Sequence, residues 1–416
     1  MNPVARVRPL EAIPIEIEGQ QMVLLRDPYR FVPDAMTVSI PVYLLMCLMD
    51  GNHTTDQLRQ QFLDRFGMAI EEKEIVALVE QLDQFGLLET ERFETLRRTA
   101  LTEFEESPAR AAAHAGTAYE TEPDTLRAQI DGFYAEGTSE CDTASEPMDG
   151  ALIGLVSPHI DPRVGGPCAA RAFDVLRRCE TPPDLFVILG TAHQYADNMF
   201  IMTEKTFETP LGNVPVDIEV ARALTNAYEL DLKEDEYLHR YEHSIEFQVL
   251  FLQHLYAGRH EFRILPILVG SFARYIEEDA LPSASEPVRS FTSALGQVID
   301  ASGRRVCLIA GADLSHIGRK FGDDKDLSDS LVADIRQRDL DMLEHIEAGR
   351  REDFFRHLQR DQDQQKVCGL PPIYTMMNIL GDDCRGRLLN YDVSIEEPTQ
   401  SFVTFASLAF YGKNGA

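Results

Sequence analysis

The sequence has no hydrophobic run long enough to cross a membrane, and it has far fewer basic residues than acidic ones. No apolar stretch reaches about 18 residues, which argues against a transmembrane helix. The first residues, Met1 to Arg8, lack the apolar core of a secretion signal. Lysine and arginine number 39 against 69 aspartates and glutamates, giving a formal net charge of −30. Such charge disfavours nucleic acid and anionic membranes, so we expect a cytoplasmic protein that partners with neither.

Disulfide frameworks and nucleotide-binding loops are also missing from the pattern. The seven cysteines are odd in number and widely scattered, which indicates reduced thiols. Gly165-Gly166 is too short a signal for a nucleotide fingerprint. We therefore expect no nucleotide cofactor. The acidic charge would instead favour metal ions or cationic partners.

Residues 1–100 have the pattern of a small separate domain. A hairpin signal around Gly19-Gln20-Gln21 is followed by three helical patterns, at 40–49, 54–66 and 71–85. The second helix opens with Thr54 and Gln57 at capping-box spacing. A hairpin with three helices predicts a winged-helix-type α+β domain. Residues 101–110 begin an acidic stretch and are predicted to form a linker.

This first segment resembles the PqqD-like family. The matching features are the Leu48-Met49-Asp50-Gly51 turn, the Thr54-Thr55 helix start and the ending from Leu82 to Leu88. The resemblance implies that residues 1–100 bind a leader peptide or another protein. A generic winged helix with some other partner is the alternative, and the net acidity argues against DNA.

From residue 150 onward, strand patterns alternate with helical patterns. This alternation predicts a mixed α/β domain over 111–416, with a central sheet flanked by helices. The predicted strands are 151–156, 185–190, 199–203, 263–269, 305–310 and 401–406. The predicted helices are 123–135, 167–178, 216–228, 242–256, 287–301, 325–348 and 371–380.

Three histidines follow predicted strands of this domain. His159 comes after 151–156, His193 comes after 185–190, and His316 follows Asp313 beyond 305–310. Ligands of open α/β sheets bind outside the carboxyl ends of the strands. Three such histidines in one domain therefore indicate a site, whereas one alone is more typical of a structural histidine.

Other polar residues join the candidate set. Asp161 follows His159, Cys368 lies in a loop with glycine and proline, and His243 and Glu246 are i, i+3 neighbours at a helix start. Imidazole, carboxylate and thiolate are ligands for iron, copper and zinc. Structural alternatives stay open: an inert thiol, a helix N-cap for Asp313, and mere orientation of neighbours by His243 and Glu246. The remaining histidines are interpreted as non-functional: His53, His114, His239, His254, His260, His345 and His357.

The order of these motifs resembles the Memo family, which includes the AmmeMemoRadiSam system protein B. The matching segments are His114–Tyr119, Ser157–Gly166, Leu189–His193, Thr209–Gly212, Glu242–Glu246, Leu265–Gly270, Asp313–His316 and Cys368-Gly369. The resemblance covers about residues 110–416. It implies a fold similar to that of the class III extradiol dioxygenases, which are non-haem iron enzymes.

The same resemblance implies roles for individual residues. His159, His193 and Cys368 stand at metal-binding positions, and His316 stands at the acid/base position, with Asp313 to orient it or pair with it. Cys368 replaces a carboxylate ligand, and a soft thiolate favours Cu(I) or zinc more than the dioxygenase iron site does. The substitution argues against classical ring cleavage. The absence of tryptophan also excludes a tryptophan-lined peptide site.

Two functions fit this pattern. The first is a metal-dependent oxidoreductase that uses iron or copper, with zinc as a third option, beside a radical-SAM protein partner. The second is a non-enzymatic adaptor that binds a peptide or a metal in the same pocket, with its partner recruited by the PqqD-like domain. The extra His316 and Asp313 favour chemistry over binding alone, while turnover itself stays open.

Overall fold

The protein is described by a computed structural model that covers residues 2–32, 35–136 and 150–412. The chain forms two compact units, Met1–Ser107 and Pro108–Ala416. Within the described ranges, no helix has both the length and the apolar character needed to cross a bilayer.

The first unit combines a small antiparallel sheet with helices. Its strands are β1 (Glu11–Ile17), β2 (Gln20–Arg26) and β3 (Met36–Ser39), paired in that order. Its helices are α1 (Ile40–Met46), α2 (Thr55–Phe66), α3 (Glu72–Gln84) and α4 (Glu91–Glu106). The predicted hairpin is present, and its turn holds Glu18 and Gly19 at positive φ angles of 52° and 79°. The capping box between Thr54 and Gln57 is also present.

The structure differs from the linker predicted over 101–110. Helix α4 continues to Glu106, and Ala109–Arg110 form a short strand, β4, of the second unit. The acidic residues of this stretch lie on the exposed side of α4, while Phe93, Ala100 and Phe104 are buried. Acidity alone therefore did not distinguish a solvated helix face from a linker.

The second unit is built on a mixed eight-stranded sheet, which confirms the predicted mixed α/β class. Its strands after β4 are β5 (Ala151–Ser157), β6 (Leu185–Thr191), β7 (Phe200–Met202), β8 (Thr206–Thr209), β9 (Gly212–Val214), β10 (Arg263–Val269), β11 (Val306–Gly311), β12 (His316–Gly318), β13 (Arg385–Glu396) and β14 (Ser401–Gly412). The main sheet has the order β12-β14-β5-β11-β6-β10-β7, with β13 paired to β14. Strands β5, β11, β6 and β10 are parallel, so their carboxyl ends share one edge.

Helices flank this sheet, and α8 and α13 both pack on the central strands β6 and β11. The helices are α5 (Pro123–Glu136), α6 (Pro162–Arg177), α7 (Ile218–Ala227), α8 (His243–Tyr256), α9 (Ala273–Glu277), α10 (Glu286–Ala301), α11 (Asp329–Glu347), α12 (Arg351–Gln359) and α13 (Leu370–Leu380). Helix α12 and the partly exposed strand β13 were not predicted from the sequence. Helix α6 also begins earlier than predicted, because Asp161 caps it and Pro162 occupies its first turn.

Two glycines let α8 approach the sheet closely. Gly190 of β6 and Gly311 of β11 are paired in register. A Cβ on Gly311 would lie 2.2 Å from the Ser244 carbonyl oxygen, and a Cβ on Gly190 would lie 2.5 Å from the Ser244 hydroxyl oxygen. The amino end of α8 therefore rests directly on the carboxyl ends of the two central strands.

We expect Gly311→Ala to destabilise the second unit by about 1–3 kcal/mol or more. The new methyl group would clash with the backbone of α8, which can shift only by disturbing its packing on the sheet. Chemical denaturation measures the change. Gly296→Ala is the matched control, since a Cβ there meets nothing within 4 Å. In a helix interior this control should be neutral or stabilising by up to about 1 kcal/mol. Wild-type stability in Gly311→Ala would contradict the close packing.

Candidate metal site at the carboxyl edge of the sheet

Three polar residues leave the sheet at equivalent positions. His159, His193 and Asp313 each lie two residues beyond the last residue of β5, β6 and β11. Strand β11 lies between the other two in the sheet. The shared offset therefore places Asp313 between the two histidines at one edge.

His159 is held in one orientation by the backbone. Its ring is buried, and its Nδ1 lies 2.8 Å from the Gly311 carbonyl oxygen. A carbonyl only accepts hydrogen bonds, so Nδ1 carries the proton and donates it. The Nε2 atom is thereby turned toward the Cys368 sulfur, at 3.4 Å.

His193 is held by a buried carboxylate. Its Nδ1 lies 3.0 Å from a Glu242 oxygen, so Nδ1 donates and Nε2 is again free. Glu242 is the N-cap of α8 and also accepts from the His243 and Ser244 amides, at 2.7 and 2.9 Å. A carboxylate behind a ligating histidine fixes its tautomer and orientation. Glu242 was not among the site residues predicted from the sequence, although its position at the start of a helix was the available signal.

Cys368 is brought to the two histidines by a tight turn. The Gly369 amide donates to the Asp313 carbonyl at 3.0 Å, and a Cβ on Gly369 would lie 2.3 Å from that oxygen. The preceding segment holds Gln362, Asp363 and Lys366 at positive φ. Such conformations are costly for residues other than glycine and are common near functional sites.

The donor atoms form one compact group. One ring nitrogen of His159, one ring nitrogen of His193 and the sulfur of Cys368 lie within 4.8 Å of one another. Ligands at about 2.1 Å (nitrogen) and 2.3 Å (sulfur) on a tetrahedral ion would be about 3.6 Å apart. The observed separation of 3.4 Å between Nε2 of His159 and Sγ of Cys368 is close to that value. The residues therefore fit a transition-metal ion.

The charges of this group compensate one another. Burial by itself raises the pKa of Cys368, but the neighbouring His159 and His316 lower that pKa to about 5. Burial also opposes protonation of His159, yet Asp313 and Cys368 raise its pKa to about 9. The metal-free site therefore holds a thiolate beside an imidazolium at neutral pH.

Glu242 has a similar relation to its neighbours. Burial would raise the pKa of Glu242, but His193 and His243 lower that pKa well below its ordinary value. Burial, with the charges of His193, His159 and His114, lowers the pKa of His243 well below its ordinary range, although Glu242 opposes this. His243 is therefore a neutral imidazole beside the candidate ligands.

Asp313 and His316 have different surroundings from those expected. One oxygen of Asp313 accepts from the His159 and Ile160 amides at 2.9 and 3.1 Å, and the other lies 3.6 Å from Nε2 of His159. Asp313 thus orients the His159 segment instead of His316, and β12, not a helix, follows it. His316 donates from Nδ1 to the Leu314 carbonyl at 3.0 Å, which again leaves Nε2 free.

His243 lies against the candidate ligands and does not pair with Glu246. Its ring centroid is 4.7 Å from that of His193 and 5.2 Å from that of His159. His114, interpreted from sequence as non-functional, also packs against His243, with ring centroids 5.7 Å apart. The carboxylate of Glu246 instead bonds Arg110, the Tyr119 hydroxyl and the amides of residues 113 and 114. Glu246 therefore anchors the opening segment of the second unit.

Asp161 has a local structural role. Its side chain caps α6 through the Arg163 amide at 2.9 Å and forms an ion pair with the Arg163 guanidinium.

Of the eight sequence-predicted site residues, the structure thus brings five into one cluster: His159, His193, Cys368, Asp313 and His243. Through its charge His316 lowers the pKa of Cys368, whereas Asp161 and Glu246 bond elsewhere.

Comparison with known proteins identifies the family of this chain. The sequence profile of the family described as Memo-like protein matches residues 110–409. This chain belongs to the Memo-like family. It is 27% identical to a MEMO1 family protein of Aquifex aeolicus over 390 residues, 93% of this chain and 96% of that protein. It is 30% identical to one from Methanosarcina barkeri over 290 residues, 69% of this chain and 93% of that protein.

A cavity of about 520 Å³ opens beside the cluster of this Memo-like chain. His193 and Cys368 form one wall, and Phe272, Ile276 and Leu370 supply buried apolar surface. The volume lies within the range of small-molecule sites, which are mostly apolar with a few polar groups. An organic molecule could therefore reach the donor atoms.

In metal-free protein we expect the alkylation rate of Cys368 to stay near its plateau down to about pH 6 and to halve near pH 5, because the lowered pKa keeps the thiolate ionised. Iodoacetamide labelling with peptide mass spectrometry separates Cys368 from the other cysteines. In His159→Gln the midpoint should move up toward the ordinary thiol range, since the largest charge that lowers the pKa is gone. A wild-type midpoint near pH 8–9 would contradict the ionised thiolate.

Proposed function

We propose that this protein binds iron or copper through His159, His193 and Cys368 and uses the ion in redox chemistry. The observation that carries the proposal is that two imidazoles and a thiolate converge with both Nδ1 atoms already bonded, to Gly311 and to Glu242. Once the imidazolium protons are lost to an incoming ion, each of the three groups offers one donor atom, and the three donor atoms lie within 4.8 Å of one another.

The ligand types narrow the choice of ion. Imidazole suits iron, copper and zinc, while a thiolate favours Cu(I) and zinc over hard ions. Three protein ligands leave further coordination positions for oxygen or a substrate. Iron or copper, when bound, would supply one-electron chemistry that zinc does not. A second donor set, His193, Glu242 and His243, fits an ion less well because Glu242 already accepts several hydrogen bonds.

The residues around the ion would bind the substrate and move protons. The cavity beside His193 and Cys368 would hold a small organic molecule or a modified side chain of a protein. His316 has a free Nε2 and is of the residue type best suited to proton transfer near neutral pH. His243, a neutral imidazole stacked on His193, is a second candidate for this role. Glu242 and Asp313 would position His193 and His159.

An adaptor function is the second candidate. In that case the same cavity would hold a peptide or an ion for delivery without turnover. The first unit supports it by its resemblance to PqqD-like domains, which would recruit a leader peptide or another protein. A radical-SAM protein is the partner that the Memo resemblance implies. Under either function, residues 1–107 would bring that partner's product or substrate to the second unit.

Metal content tests the metal proposal. After anaerobic purification, we expect wild-type protein to carry close to one equivalent of iron, copper or zinc, while His159→Ala and Cys368→Ala lose most of it because each variant leaves only two ligands. Elemental analysis by mass spectrometry measures the content. His345→Ala is the control, since His345 lies on α11, where Arg350 contacts its ring. Equal metal in wild type and both ligand variants would refute the proposal.

Oxygen consumption separates an enzyme from an adaptor. With a reductant and the metal-loaded protein, we expect His316→Ala to lower the rate by about 10²–10⁴-fold if proton transfer at His316 limits it. The metal content of this variant should stay at the wild-type level, because His316 is not among the three proposed ligands. An oxygen electrode measures the rate. No consumption in wild type would favour the adaptor, and equal rates in wild type and His316→Ala would remove the acid/base role.

A further inference from the structure

A fully buried carboxylate, Asp339 of α11, lies outside the metal site and accepts four hydrogen bonds. One of its oxygens accepts from the Ser315 hydroxyl at 2.6 Å and from the Gln365 amide nitrogen at 2.9 Å. The other accepts from the Thr404 hydroxyl at 2.6 Å and from the Tyr391 hydroxyl at 2.9 Å.

This carboxylate has no cationic partner within 4 Å among the residues that the structure describes. A buried charge without a partner is costly unless its hydrogen bonds are complete. An apolar residue would suffice at a position that only needs packing. The free-energy cost of burying the Asp339 charge therefore indicates that the carboxylate serves to hold its four donors in one fixed arrangement.

Two of the four donors, Ser315 and Gln365, belong to the segments that carry His316 and Cys368. Ser315 directly precedes His316, and Gln365 lies three residues before Cys368. The two segments also touch directly, since the Gln365 side chain donates to the Ser315 hydroxyl at 2.8 Å and the His316 amide donates to the Gln365 carbonyl at 2.8 Å. Asp339 binds both sides of this junction through a single oxygen.

The second oxygen ties the junction to the sheet. Thr404 of β14 donates its hydroxyl to Asp339, while the same hydroxyl accepts from the Ser315 amide at 2.9 Å. The backbone of Thr404 also pairs with Leu314 and Ser315. One carboxylate therefore joins α11, β14, the His316 segment and the Cys368 loop.

We propose that Asp339 is a positioning residue that fixes the Cys368 thiolate and His316 relative to each other. The proposal rests on the proposed function, because it gives the geometry of the same metal ligand and the same proton carrier. It acts through Ser315 and Gln365 and does not itself touch the donor atoms. The role requires a carboxylate, since each oxygen takes two donors. An asparagine would offer only one accepting oxygen. Its NH₂ group would face the two donors that the other oxygen of Asp339 accepts, and donors cannot bond to one another.

The test compares Asp339→Asn with Met342→Ala, a change at another fully buried residue one turn along α11. Cu(I) is the probe, titrated against a chromophoric chelator. Outer residues that orient a ligand typically change metal affinity by 10–100-fold. We expect Asp339→Asn to weaken Cu(I) binding by about tenfold, and Met342→Ala to change it by less than threefold at a comparable loss of thermal stability.

Hydrogen exchange of the metal-free proteins gives a readout independent of metal. In Asp339→Asn we expect the amides of Ser315, His316 and Gly369 to lose protection together by about tenfold or more, while β6 and β10 keep theirs. Met342→Ala should not single out these amides. If Asp339→Asn fails to fold, Ser315→Ala removes one of the four bonds and should give the same pattern in weaker form.

The outcomes separate the two proposals. Wild-type Cu(I) affinity together with wild-type protection in Asp339→Asn would overturn the positioning role, as would an equal loss of affinity in Met342→Ala. Suppose that Asp339→Asn loses protection at the three amides and that the wild type binds no Cu(I). This result would support the junction and exclude copper as the ion of the proposed function, which the metal-content measurement tests separately for iron and zinc.

Discussion

The close approach of α8 to the central strands is the constraint on which the site depends. Glu242 caps this helix and reaches His193 only because the amino end of α8 rests on Gly190 and Gly311. The same carboxylate takes the first amides of the helix, so capping the helix and orienting a candidate ligand are one interaction. Moving the helix outward by the width of a methyl group would separate the carboxylate from the imidazole.

The hydrogen bonds of the Nδ1 atoms of His159 and His193 determine which ring nitrogens remain available as donors to an ion. His159 uses a backbone carbonyl and His193 uses a carboxylate, and in His159 this leaves Nε2 at 3.4 Å from the Cys368 sulfur. The thiolate and the imidazolium then stabilise each other in surroundings that would disfavour either charge alone. An incoming ion would replace the protons that hold this group together in its absence, since metal ligands must be deprotonated.

Much of this arrangement was predictable from particular residues. Apolar runs ending in glycine or in small polar residues identified β5, β6 and β11, and the polar residue just beyond each run identified His159, His193 and Asp313. Cys368 was different, because a single cysteine in a loop has no periodicity. Its glycine- and proline-containing loop made it a candidate, and only the family resemblance gave it the role of a ligand. Strand β13 was missed because a half-exposed strand near the sheet edge lacks a continuous apolar run.

The pairing of side chains was less predictable than their position. Helical spacing correctly put His243 and Glu246 on one side of α8, but it could not show that Glu246 bonds Arg110, 136 residues away in sequence. Asp313 likewise lies three residues before His316 and yet bonds the His159 segment, 154 residues away. The sequence by itself determined the α/β class, the strand ends and the residue types available for metal chemistry, because these follow from local patterns of apolar and polar residues. Only the tertiary structure decided which polar atoms meet, because hydrogen bonds between buried groups depend on how distant segments pack.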